Sequence, residues 1–183
     1  ASVALALGQP LGAEDEPNGG AALATPISKN GVVRADLTPN AEDDYYSFPG
    51  GAGERVYAAT MTAFAAPMAG KELDSVLEVI GTDGMTVIES DDDDGAFGPK
   101  ASSIAGATLL ETGTSFLRVH NKAGSNTRPY DLHLVTHVDA PTPEVEPNDS
   151  VLAAQPLPAS GWMQGDIGAA ADSDFYSIAL SVG

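Results

Sequence analysis

The chain has 183 residues, 43% of them hydrophobic, with 26 acidic side chains against 8 basic ones and a formal charge of −18. That length supports one sound core and part of another, and a field of that sign repels phosphate backbones and anionic headgroups, which argues against nucleic acid as a partner. The absence of cysteine excludes disulfides, thiolate metal sites and cysteine nucleophiles, and no apolar run reaches the roughly 18 residues of a membrane span.

Residues 1–10 begin ASVALALG, in which Val3, Leu5 and Leu7 recur at period two and predict a strand or arm. The stretch lacks a basic n-region and reads as the mature end of a processed protein. Next comes EDEPN. In an extended segment alternate side chains share a face, so Glu14, Glu16 and Asn18 point one way. Three oxygen donors on one face repel without a cation, and calcium takes six to eight oxygen ligands in irregular geometry. The alternative is an acidic linker whose carboxylates are solvated. Ala21 to Ala24 predict a helical turn before Pro26.

From there to Asp139 the chain is a series of short β-rich segments broken by glycine, proline and aspartate: GVVRADL, YYSFP, ERVYAATMT, SVLEVIG, MTVIES, SSIAGATLL, TSFLRVHN and YDLHLVTH. That rhythm predicts an all-β fold, an antiparallel β-sandwich. GTDG, at Gly81 to Gly84, predicts a hairpin in which aspartate and glycine supply positive φ. SDDDDG, at Ser90 to Gly95, fails as an EF-hand because the twelfth loop position is Ala101 where a bidentate glutamate is required. Asp92 and Asp94 stay as possible ligands of an irregular calcium site, against the alternative of an exposed acidic turn. His133 and His137 are four apart in the last strand and His120 lies in the preceding one, a conceivable but unsupported metal set.

Sliding the sequence on itself by 130 residues places EVEPN on EDEPN without gaps, and the match continues through Asp174, Tyr176 and Ser177 on Asp44, Tyr46 and Ser47. A period this long marks a repeated domain rather than a solenoid unit. The expected organisation is an N-terminal arm at 1–10, a complete sandwich at 11–139, a proline-rich linker at 140–143, and the first third of a second copy at 144–183. Residues 2–8 fall where the last strand of a preceding copy would run. This suggests that Val3, Leu5 and Leu7 complete a partial domain of another copy of the chain, head to tail; the alternative is a trimmed end. Trp162 takes the place of Val32 and reads as core rather than ligand; the alternative is a side chain stranded on the face of an incomplete sandwich. Asn148-Asp149-Ser150 fits a glycosylation sequon weakly.

The ordered set E-x-E-P-N, A-x-P, G-x-x-x-x-D, an acidic residue before Tyr-Tyr or Phe-Tyr, DDDDG, GTSFLRV and YDLHL resembles the bacterial pre-peptidase C-terminal domain, whose relatives include the collagen-binding domains of clostridial collagenases. The resemblance covers Glu14 to His137 once and Glu144 onward in part. It implies a jelly-roll β-sandwich appended to secreted peptidases and other exported proteins, without catalysis of its own, and calcium near the E-x-E-x-N segment. Carried over by position, it implies Glu14, Glu16, Asn18 and Asp44 as ligands in the first copy. In the second copy the matching set is Glu144, Glu146, Asn148, Asp149 and Asp174. The first copy departs from the pattern at Gly19, where the second has Asp149.

No G-x-S-x-G, H-E-x-x-H or phosphate loop is present, and only 6% of residues are aromatic, few for a sugar cleft. The sequence therefore reads as a non-catalytic, calcium-binding, secreted extracellular module. Its partners are expected to be an extracellular protein or polymer, or other copies of itself. The alternatives are a filament-forming subunit and a peptidase prodomain.

Overall fold

Each of the eight β-rich segments marked by the sequence becomes a strand. The computed structural model describes residues 12–37, 42–62, 73–93, 98–122, 128–168 and 172–180; the expectations for Val3, Leu5, Leu7 and Asp94 lie outside them. The chain divides into two compact units, Val3–Val138 and Asp139–Gly183.

In the first unit, β1 (Gly12–Ala13) and a 3-10 turn (Ala21–Leu23) lead to β2 (Thr25–Pro26), β3 (Gly31–Asp36), β4 (Asp44–Gly50) and β5 (Arg55–Met61). There follow β6 (Ser75–Ile80), β7 (Val87–Asp92), β8 (Ser103–Thr108), β9 (Gly113–Asn121) and β10 (Pro129–His137). They form two five-stranded sheets, ordered β1-β3-β10-β5-β8 and β2-β4-β9-β6-β7. The long pairings are antiparallel, as expected for a sandwich, but β1 runs parallel to β3 and β2 parallel to β4, so both sheets are mixed. These two-residue strands are docked by their neighbours, and their sequence carries no alternation long enough to announce them.

The inner faces meet in one core. Val33, Val56, Leu132 and Leu134 come from the first sheet and Phe48, Leu77, Leu117 and Val119 from the second. Tyr46 and Tyr130 are the largest side chains fully buried within it. The polar hydroxyls of these two tyrosines need partners once out of water, and they find them at the edge of the core where the acidic entry segment passes.

The hairpin between β6 and β7 forms, but not as a primed two-residue turn. Gly84 has φ +70°, whereas Asp83 is not among the positive-φ residues. Asp83 instead accepts N–H bonds from Met85 and Thr86 at 2.9 and 2.8 Å, an Asx-type arrangement that holds a longer loop.

The second unit contains β11 (Thr142–Pro143), β12 (Gln155–Pro156), β13 (Met163–Gln164) and β14 (Tyr176–Ser177). Its parallel pairs, β11 with β13 and β12 with β14, join residues each 130 positions after those joined by β1 with β3 and β2 with β4. Loop bonds follow suit: Asn18 O accepts the Tyr45 N–H at 3.0 Å, and Asn148 O accepts the Phe175 N–H at 3.1 Å. The surroundings differ. Phe48 is 1% exposed and its positional counterpart Ile178 is 61% exposed, whereas Trp162 is half-buried like its counterpart Val32.

Candidate metal centre

In the first unit the E-x-E-P-N segment crosses from the edge of one sheet to the edge of the other, leaving β1 and arriving at β2. Its acidic side chains are gathered on the way. Glu14 Oε1 accepts the Asp36 N–H at 2.8 Å, at the end of β3, and Glu14 Oε2 accepts the Tyr46 hydroxyl at 3.1 Å. Glu16 Oε2 accepts the Asn18 N–H at 3.0 Å. The Glu16–Pro17 peptide bond is cis. Asp44, first residue of β4, lies buried beneath, so that one carboxylate oxygen from each of Glu14, Glu16 and Asp44 falls within 4.8 Å of the others.

Two oxygens in this cluster are shut off from water and accept no hydrogen bond: Oδ1 of Asn18 and Oδ1 of Asp44. Asn18 is fully buried, and its amide nitrogen is turned toward Glu14 Oε2 at 3.3 Å and Thr25 Oγ1 at 3.5 Å, which leaves its carbonyl oxygen as the unused donor atom. An unsatisfied buried acceptor costs roughly 1–3 kcal/mol. One on Asn18 and one on Asp44, beside the carboxylates of Glu14 and Glu16, match what a hard cation with oxygen ligands requires.

The electrostatics point the same way. Burial above all, together with the Glu14, Glu16 and Glu42 charges, raises the Asp44 carboxyl to about 8, with a hydrogen bond from Tyr130 acting against them. Burial likewise raises Glu14. Carboxylates packed this way either take up protons or take a cation. The hydroxyls of Tyr46 and Tyr130 lie 2.7 Å apart, and Tyr130 donates to Asp44 Oδ2, so the cluster is tied to both sheets.

In the second unit the same donors converge. Glu144, Glu146 and Asp174 bring carboxylate oxygens within 4.8 Å of one another, Asn148 is fully buried, and Oδ1 of Asn148 and of Asp174 accept nothing. Glu144 accepts the Asp166 N–H and, at 2.6 Å, the Tyr176 hydroxyl. Those bonds hold Glu144 below the usual carboxylate range, the Tyr176 hydroxyl being the largest influence, whereas loss of water contact and then the Glu144 charge raise Asp174. A second triad appears beside the first, with Glu146, Asp149 and Asp172 within the same 4.8 Å. The first unit lacks it because Gly19 stands where Asp149 does, leaving Glu16 and Glu42 without a third carboxylate.

Asp172, Glu42 and the two tyrosine hydroxyls are absent from the sequence-level site. The 130-residue offset carries a signal for the first pair, since it places acidic Glu42 on acidic Asp172. Nothing local marks Tyr130, which reaches the site only because β10 crosses behind it.

Asp92 lies with Asp74 and Asp93 in a further cluster within 4.8 Å. Here Lys122 pairs with Asp92, and Lys100 pairs with Asp74 at 3.1 Å, so cationic side chains already offset part of the charge. Asp91 next door accepts the Ser103 N–H at 2.6 Å, a structural bond to β8. The three histidines do not converge. His120 is on β9 in the second sheet, opposite Val76, while His133 and His137 are on β10 in the first.

No protein-family profile and no curated protein matches the sequence. Among solved structures, similarity is found to the pre-peptidase C-terminal domain of a collagenase from Bacillus anthracis, at 12% identity and TM-score 0.45, over 69% of this chain and 97% of that one. PliG from Aeromonas hydrophila, a periplasmic inhibitor of g-type lysozyme, matches at 11% identity and TM-score 0.44, over 70% of this chain and 99% of that one. The PliG of Salmonella Typhimurium matches at 13% identity and TM-score 0.38, over 61% and 96%. No described helix is long and apolar enough to cross a membrane.

Proposed function

We propose that the chain is a non-catalytic, calcium-binding accessory module of a secreted bacterial protein, built from a repeated β-sandwich unit and acting in binding or assembly. The observation that carries this reading is the pair of buried, unpartnered oxygens, Asn18 Oδ1 and Asp44 Oδ1, set among the carboxylates of Glu14 and Glu16. Calcium held there by Glu14, Glu16, Asn18 and Asp44 neutralises the cluster and pins the entry segment to both sheets, through Asp36 and Tyr130 on one side and Asp44 on the other. In the second unit Glu144, Glu146, Asn148 and Asp174 hold one ion, and Glu146, Asp149 and Asp172 hold another.

The test is calorimetric titration of the chelator-treated chain with calcium, followed by thermal melting with and without it. Saturable binding with a rise in Tm of several degrees supports the reading. A chain that binds no calcium at millimolar concentration, or melts identically in its presence, removes it.

Assembly between copies is a second reading, favoured by the exposure of Ile167, Ile178 and Leu180 in the second unit. Light scattering across a concentration series decides it: a monomer at all concentrations, with calcium and with chelator, rules it out.

A further inference from the structure

A cleft of about 150 Å³ opens beside the β6–β7 hairpin, with Thr82, Asp83, Thr86, Ile88, Leu110 and Glu111 in its lining. Small-molecule sites run to about 300 Å³ or more, so this volume suits one side chain rather than a whole ligand. It stands apart from the calcium site along β9: Val119 pairs with Asp44, whereas the cleft lies by the opposite end of that strand, where Gly113 packs on Thr82.

The chemistry of the cleft is directional. Ile88 and Leu110 give it apolar walls, and Asp83 and Glu111 give it two carboxylates, while none of its lining residues is basic. Both carboxylates are fixed in place. Asp83 accepts the Met85 and Thr86 N–H groups and, at 2.6 Å, the Thr86 hydroxyl; Glu111 Oε2 accepts the Thr82 hydroxyl at 2.8 Å. Hydrogen bonds from Thr86 above all hold Asp83 down at about 2, so it is ionised at any ordinary pH.

Beside the cleft stand apolar side chains that the fold leaves in water: Leu110, in its wall, at 71% exposure, and Met85, next to Thr86 in the hairpin loop, at 82%. A small recess of mixed polarity flanked by exposed apolar side chains has the anatomy of an interface hot spot, where a central anchor is shielded from water by its surroundings.

We propose that this cleft is the docking point for an arginine side chain presented by a basic partner protein, with Met85 and Leu110 as the flanking apolar contacts. An arginine stem lies along Ile88 and Leu110, and its planar fork of donors meets Glu111 and the threonine oxygens. Arginine suits the place better than lysine because its guanidinium pairs with carboxylates in two-pronged fashion and is more weakly hydrated. The −18 charge of the chain adds long-range attraction for a basic partner and speeds encounter.

The experiment is a titration of the full 15N-labelled chain, calcium-loaded and at physiological salt, with N-acetyl-arginine methyl ester, read by amide chemical shifts. The expected result is a saturable response confined to residues 81–88 and 109–115, and none from N-acetyl-norleucine methyl ester, which has the stem without the charge. Glu111→Gln keeps an acceptor for the Thr82 hydroxyl and therefore folds, and it weakens the response about tenfold. Shifts scattered over the acidic surface without saturation overturn the proposal, as does Glu111→Gln binding the probe like the parent chain.

Discussion

Tyr130, on the first sheet, donates its hydroxyl hydrogen to Oδ2 of Asp44, on the second, and so joins the two layers at the acidic entry segment. The bond favours the ionised form of Asp44, which burial opposes. Tyr130→Phe removes the donor and keeps the ring. The buried carboxylate then holds its proton more tightly, and on the proposed reading calcium binding has to displace that proton. Calcium affinity near neutral pH is expected to fall about tenfold, with a stability loss of about 1–3 kcal/mol in chelator from the unsatisfied acceptor. Calorimetry on the variant checks this; an unchanged affinity means Tyr130 acts on packing alone.

The raised pKa of Asp44 makes the calcium-free protein sensitive to pH in a definite direction. Its folded value of about 8 lies above the ordinary aspartate value of 3.8, so the folded state binds the proton more tightly. That stability is fully present below about pH 4 and is lost as pH rises toward 8. A tenfold change in proton affinity is worth about 1.4 kcal/mol, so the swing is on the order of a few kcal/mol. In chelator this group's contribution to the melting temperature therefore declines from pH 4 to 8. With calcium in place of the proton the decline disappears, and Asp44→Asn removes it without calcium. A chelated protein whose Asp44→Asn variant shows the same pH profile as the parent would falsify the assignment.

Much of this architecture was legible because strands of six to nine residues declare their period. GVVRAD and PYDLHLVTH each carry buried apolar residues at period two, and each is a strand. The two-residue strands β1 and β2 escape detection because their existence depends on β3 and β4, a tertiary effect with no local signature. Among site residues, Glu14, Glu16 and Asn18 show themselves by parity in an extended segment. Asp44 has no such mark in its own neighbourhood and entered only through family resemblance. Tyr46 and Tyr130 read as ordinary core aromatics, and they are core; only the position of their hydroxyls against Glu14 and Asp44 gives them a second role.

The β6–β7 hairpin depends on one glycine. Gly84 has φ +70°, and a Cβ there would sit 2.7 Å from the Cβ of Ala21. Gly84→Ala meets two separate penalties: the left-handed backbone, about 1 kcal/mol for a non-glycine residue, and the displacement of the 3-10 turn. A total loss of about 2 kcal/mol is expected from denaturant unfolding. Adding Ala21→Gly to the variant relieves the contact but not the backbone strain, so roughly half the loss returns. Complete recovery would show that the left-handed conformation itself costs little here.

The difference between the two acidic sites rests on one position. Asp149 completes a triad with Glu146 and Asp172, and Gly19 stands at the equivalent place beside Glu16 and Glu42. A side chain fits there: a Cβ on Gly19 meets only the Asp43 carbonyl oxygen at 3.6 Å and Glu42 Oε2 at 3.8 Å, ordinary contacts, and its backbone is not in the left-handed region. Gly19→Asp therefore places a new carboxylate next to Glu42 without strain. Without calcium the added negative charge repels Glu16 and Glu42 and lowers the melting temperature. With calcium the variant gains a third ligand for a second ion, and bound calcium per chain rises by one in equilibrium dialysis. If the stoichiometry stays the same while the chelated protein is destabilised, the carboxylate is present but not placed to bind, and the second triad of the Asp149 unit must be read as an acidic surface rather than an ion site.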